Sequence, residues 1–212
     1  MKNFFGLLMG IFAFFLVNEM QAQDMMNTKH YRSHFAFMSS LGFNAGVGKI
    51  TYESHTMNNT IPLFNARQLF LYQFNPHISA GVELGVDIWK KTAFIPLALH
   101  FSVDFMDYRV TPHWYVNAGY AFKWYVSSQP EKMTRVIHGA KSGWHVNTGL
   151  GFKLYLKERL SLVLAADYKM QYTTIQYSVV KPNEVDYSLI TTNRTKNVFY
   201  HFIGVRVGLL YW

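Results

Sequence analysis

The chain has 212 residues, a formal net charge of +8, no cysteine, and 17% aromatic residues at a mean hydropathy of +0.01. Without cysteine it can have neither a disulfide framework nor a lipid-modified cysteine at a new amino terminus. Basicity of this size often points to nucleic acid, but here the basic residues are scattered or sit in polar stretches between apolar ones. Attraction to anionic lipid headgroups or glycolipid phosphates fits better, with a merely solvated basic surface as the plain alternative.

Taken in chain order, the first element is a leader. Met1-Lys2-Asn3 is a short basic start, Phe4 to Val17 is apolar, and a polar stretch ends in Met20-Gln21-Ala22-Gln23 with Ala22 as the cleavage residue. The apolar run of about 14 residues is shorter than the roughly 20 that a spanning helix needs. Residues 1–22 are therefore expected to be a secretory signal peptide. Residues 23–32 then form a short periplasmic segment and 33–212 a single domain. Export argues against a nucleic-acid partner.

From there on the chain alternates with period two over segments longer than ordinary soluble strands. In the clearest case Trp114, Val116, Ala118, Tyr120, Phe122 and Trp124 share one face, while Tyr115, Asn117, Gly119, Ala121 and Lys123 share the other. Eight such segments are expected, at Ser33–Tyr52, Ala66–Phe74, His77–Trp89, Ala93–Asp107, His113–Val126, Gly143–Leu156, Leu160–Ser178 and Asn197–Trp212. An even number of antiparallel strands can close on itself and leave no edge, as a bilayer demands. The expected fold is all-β, an eight-stranded antiparallel up-and-down transmembrane barrel, apolar outside and polar inside.

The connections alternate in length. Asn75-Pro76-His77, Tyr108–Pro112 and Lys157-Glu158-Arg159 are short, whereas Glu53–Asn65, Ser127–Ser142 and Val179–Lys196 are long. Lys90-Lys91-Thr92 breaks the rule. Short periplasmic turns and longer outer loops are the outer-membrane pattern. Trp89, Trp124 and Trp144 fall at the long-loop ends of their segments and Trp114 and Trp212 at the short-turn ends, which predicts two interfacial belts of tryptophan.

With strands, turns and belts in place, the chain resembles the small outer-membrane β-barrel proteins of the OmpA, OmpX and OmpW type. The resemblance covers roughly Ser33 to Trp212. It rests on the alternating strands, the export signal and the closing Val205-Arg206-Val207-Gly208-Leu209-Leu210-Tyr211-Trp212 segment. It implies an address in the outer membrane of a Gram-negative bacterium. It also implies recognition by the barrel-insertion machinery, since such families end in an aromatic residue and Trp212 holds that position. The last segment departs from the pattern, because its apolar residues do not alternate cleanly and the registers of Arg206 and Trp212 conflict. Fold alone fixes no activity.

Candidate functional residues fall in three places. A lumen charge network is expected from Glu83, Asp87, Asp104 and Asp167 with Lys123, Lys153, Lys169 and Arg206, with Arg67 on a strand whose face is ambiguous. Eight strands enclose a lumen that side chains can fill, so these charges read as a salt-bridged plug before an ion path. His100 and Ser102 share a face with Asp104, as a hydrolytic triad would require. That face points into the lumen, away from lipid, and catalysis is not expected. The histidines show no metal spacing: His30 and His34 lie four apart in an extended segment. Glycines 42, 46 and 48 lack the lysine and helix of a phosphate loop and read as structural. In the loop Ser127–Ser142, Lys132, Arg135, His138 and Lys141 face a single Glu131 and could bind anionic glycolipid or another envelope protein. The expectation is a non-enzymatic barrel without cofactors, acting as a structural, adhesion or accessory subunit through its outer loops. The alternative is a barrel enzyme or transporter for lipids or small apolar molecules, for example a lipid-A-modifying hydrolase.

Overall fold

The computed structural model describes residues 34–212, apart from 53–54, 90–91, 107, 127–128, 133–134, 158 and 183–188. The leader and the segment to residue 32 lie outside the described residues. The elements are β1 (Phe35–Val47), β2 (Lys49–Tyr52), β3 (His55–Asn58), β4 (Pro62–Asn75), β5 (Ile78–Trp89), β6 (Thr92–Asp104), β7 (Val110–Val126), β8 (Gln129–Lys132), β9 (Arg135–Ala140), β10 (Gly143–Lys157), β11 (Leu160–Pro182) and β12 (Leu189–Tyr211). Eight of them form one antiparallel meander in the order β1-β4-β5-β6-β7-β10-β11-β12. β12 returns to pair with β1, from Phe37↔Tyr211 to Val47↔His201, and closes the barrel.

All eight expected segments are present, but several boundaries move. The first stops at Val47 because Gly48 takes a φ of +79°, open to glycine but not to most residues. The chain then makes the small β2–β3 hairpin and re-enters the wall at Pro62, four residues before the expected Ala66. The stretches 127–142 and 179–196, expected as loops, contain much strand. β11 and β12 pair as far as Pro182↔Leu189, and β9 pairs with β11 from Ile175↔Ala140 to Val179↔Arg135. Alternation weakens once a strand leaves the bilayer, because neither face is then held against lipid.

Outward positions are apolar and open. Leu41 is 69% exposed and Leu99 72%, and phenylalanines such as Phe35, Phe64 and Phe122 are exposed on the same wall. An exposed apolar surface continuous around all eight strands is intelligible only with lipid as the solvent. Among the described residues no helix is long and apolar enough to cross a membrane, so any crossing is made by strands.

The interior is layered. At the long-loop end Leu63, Trp89, Phe94, Ile175, Val198, Tyr200 and Phe202 form an apolar cluster closed by Ile50 of the β2–β3 hairpin. At the short-turn end Met38, Leu69, Leu71, Tyr155, Val163, Leu210 and Trp212 form a second. Trp89 and Trp212 therefore do not belong to the interfacial belts. Trp89 stands in the same alternation as Glu83 and Asp87, so it points inward. There it meets Tyr200 edge-on, with ring centres 4.6 Å apart, and Phe202 at 5.4 Å. Each such ring pair adds about 0.5–1.5 kcal/mol to what burial gives. Trp212 stands in step with Arg206 and is likewise buried, which removes the conflict of registers: Val205, Val207, Leu209 and Tyr211 are the outward set. Trp124 and Trp144 do face outward, and Trp114 stands on the outward face near the short turns, its Nε1 donating to Thr148 Oγ1 at 3.0 Å.

Candidate functional site in the barrel lumen

Between the two apolar caps, inward positions are polar. Four acids and four bases meet there: Glu83, Asp87, Asp104 and Asp167 with Arg67, Lys153, Lys169 and Arg206, all buried. Six of them form one chain across the lumen. Lys169 and Arg67 both bind Asp87, the Arg67 contact being 2.6 Å. Arg67 also lies 3.5 Å from Glu83. Arg206 then bridges Glu83 at 3.1 Å and Asp167 at 3.3 Å. Lys153 pairs with Asp104 at 2.7 Å nearer the short turns. Charges taken from water into such a space are tolerable only when paired and hydrogen-bonded.

Neutral groups complete the valences. Asp167 accepts from Asn44 Nδ2 at 2.5 Å, Tyr115 Oη at 3.3 Å and Asn147 Nδ2 at 3.4 Å. Asn117 donates to Glu83 at 2.9 Å and accepts from His100 Nδ1 at 2.5 Å. The Tyr115 ring lies 5.0 Å from the Arg206 guanidinium, between His100 and His113, with which it stacks. Gly149 makes this possible: a Cβ there would meet the Tyr115 hydroxyl at 2.6 Å. Gly42 serves Asn65 in the same way.

Seven of the eight residues expected in the charge network are in it. Lys123 is not. It keeps the inward alternation but lies one step beyond the fully buried Ala121, where the lumen opens, and its side chain is exposed. Arg67 takes its place and restores the balance of four against four. The polar partners Asn44, Tyr115, Asn117 and Asn147 were not singled out by the sequence, although each stands in the inward alternation of its strand.

The structure does not pair His100, Ser102 and Asp104 with one another: Asp104 binds Lys153. His100 is turned to Asn117, and Ser102 shares a hydrogen bond of 2.7 Å with Ser79. Among the described residues no group of His, Cys, Asp or Glu could hold a metal, and His30 lies outside them. A cavity of about 20 Å³ between His100, His113, Tyr115, Lys153 and Arg206 has room for about one water molecule. The side chains of Lys132, Arg135 and His138 lie outside the described residues; Lys141 is exposed at the long-loop end, as is Lys123.

The sequence matches no family model and no curated protein. The fold does match solved structures. The outer membrane protein OprG from Pseudomonas aeruginosa superposes with a TM-score of 0.51 at 13% identity, over 84% of this chain and 98% of that one. Neisserial surface protein A gives 0.47 at 14% identity, over 84% and 97%. Outer membrane protein AlkL gives 0.46 at 11% identity, over 88% and 97%. At such identities what is shared is the fold, that of the small eight-stranded outer-membrane barrels.

Proposed function

We propose that this chain is a closed, non-enzymatic outer-membrane barrel of a Gram-negative bacterium. Its lumen is a structural plug, and its working surface is the long-loop end, turned outward to bind anionic glycolipid as a structural, adhesion or accessory subunit. The observation that carries this reading is the partition of charge. The lumen holds four acids against four bases and is neutral. The short turns 75–77, 105–109 and 157–159 hold three Lys and Arg against two Asp and Glu. The stretches at the other end, residues 48–61, 90–91, 123–142 and 176–196, hold ten against four. Six of the eight net positive charges of the sequence thus fall in the segments that connect strands on the long-loop side, which is the field an anionic headgroup layer would meet. The closing strand, ending in the aromatic pair Tyr211-Trp212, is the segment the barrel-insertion machinery would recognise.

Two measurements test the two halves of the reading. Purified protein in planar bilayers should show no steady conductance on the nanosiemens scale; a large stable pore would refute the plug. The folded barrel in detergent should retain phosphorylated glycolipid in a salt-dependent manner. Replacing Lys123, Lys141 and Lys196 together by Glu should weaken retention, and salt-independent retention would refute the binding role.

A further inference from the structure

One polar pair on the outer wall is placed where lipid cannot serve it. Ser39 of β1 and Gln68 of β4 stand directly opposite each other in register, both on the outward face. Ser39 Oγ donates to Gln68 Oε1 at 2.6 Å. Gln68 is at the middle of β4 (Pro62–Asn75), so its carboxamide lies midway between the two ends of the wall. Its Nε2, with two N–H groups, has no partner among the described residues.

Several other polar side chains of the outer wall have partners on the wall itself. Thr148 donates to the Tyr115 carbonyl at 2.9 Å and accepts from Trp114. Tyr168 and His201 bind each other at 2.6 Å. Thr174 binds Asn197 beyond the point where β1 ends, at the long-loop end where water is at hand. Gln68 has no such resource, and hydrocarbon leaves its amide unmet.

The surroundings of Gln68 form a notch. Along the β1–β4 ladder the outward pairs run Phe37–Phe70, Ser39–Gln68, Leu41–Ala66 and Phe43–Phe64. The outer two are ring pairs, with centres 5.6 Å and 4.9 Å apart. Between them Ser39 and Ala66 are small, and Leu41 projects at 69% exposure. Small residues flanked by large ones let two walls approach closely.

We propose that this notch is a self-association site, at which two copies of the chain meet wall to wall about a two-fold axis that passes between their Gln68 carboxamides. A carboxamide carries both donor and acceptor, so two glutamines related by a two-fold axis satisfy each other, N–H to C=O in both directions. The oxygen keeps a lone pair for this while accepting from Ser39. Acyl chains offer neither group. This site is separate from the long-loop surface and does not depend on its role.

The chain has no cysteine, so a single introduced thiol reports proximity cleanly. Purified full-length mature protein is reconstituted in phospholipid vesicles at low protein density and treated with a short thiol cross-linker. Leu41→Cys, beside the notch, should give a covalent dimer, while Leu99→Cys, equally exposed on β6, should not. Adding Gln68→Leu to the Leu41→Cys chain should lower the dimer yield about tenfold, the scale of one hydrogen-bonded contact in a membrane. Unchanged gel mobility of the unboiled double variant would show that the barrel remains folded. Equal cross-linking at positions 41 and 99, no dimer at position 41, or a dimer that survives Gln68→Leu in a folded barrel would each overturn the proposal.

Discussion

Arg206 and Val207 are neighbours on β12, yet they lie in two different solvents. Arg206 is wholly buried between two carboxylates, whereas Val207 is half exposed on the outer wall. One face of the strand is held by specific partners, the other by the absence of anything polar. The lumen is therefore vulnerable to the loss of a partner, and the wall to the arrival of a charge. Any strand of this barrel can be edited on one face with consequences that say nothing about the other.

The largest effect is expected where a partner is lost. Arg206→Met leaves Glu83 and Asp167 without their shared cation and should cost about 3–5 kcal/mol in urea titrations of the folded barrel. If the variant is as stable as the parent, water rather than arginine compensates these acids, and the lumen is wet. Next comes the wall. Val207→Arg places a charge in the hydrocarbon and should cost about 2–4 kcal/mol if it lies near the midplane, less toward an interface. A smaller loss from Val207→Arg than from the same change at an interfacial position would contradict the placement of the apolar band. The smallest effect is expected at the rim. Lys123→Met removes an exposed charge outside the network and should change stability by no more than about 0.5 kcal/mol. A loss comparable to that of Arg206→Met would put Lys123 back among the paired residues.

Alternation made most of this barrel legible. The Trp114–Trp124 segment announces its two faces, and its inward set Tyr115, Asn117 and Ala121 is buried. The same rule would have placed Trp89 and Trp212 correctly, since each is in step with an inward charge on its own strand. The preference of tryptophan for membrane interfaces points the other way at both positions, and alternation wins. Lys123 shows the complementary limit: period two gives its inward face but carries no information about its height along the barrel. Arg67 was ambiguous because Gln68 beside it is also polar, and Gln68 faces lipid. The hydrogen-bonded partners Asn44, Asn117 and Asn147 come from three different strands. Their convergence depends on the registers between strands, which one strand's pattern cannot supply.

The pairing of β1 with β12 has a kinetic consequence. Closure joins the first strand of the barrel to the last, and Arg206 bonds to Glu83 across 123 positions of chain. Contacts so distant in sequence are made late, because the entropy of bringing them together is spent before they return any stabilisation. Until β12 arrives, Glu83 and Asp167 lack their common cation: Glu83 keeps only Arg67 of the neighbouring strand, and Asp167 only neutral donors and water. The incomplete barrel is thus an open, hydrated sheet with two unpaired edges. Arrival of a single strand dries the lumen, balances its charge and removes both edges in one step. Assembly of this molecule should be all-or-none at that step, slow in reaching it and hard to reverse once past it.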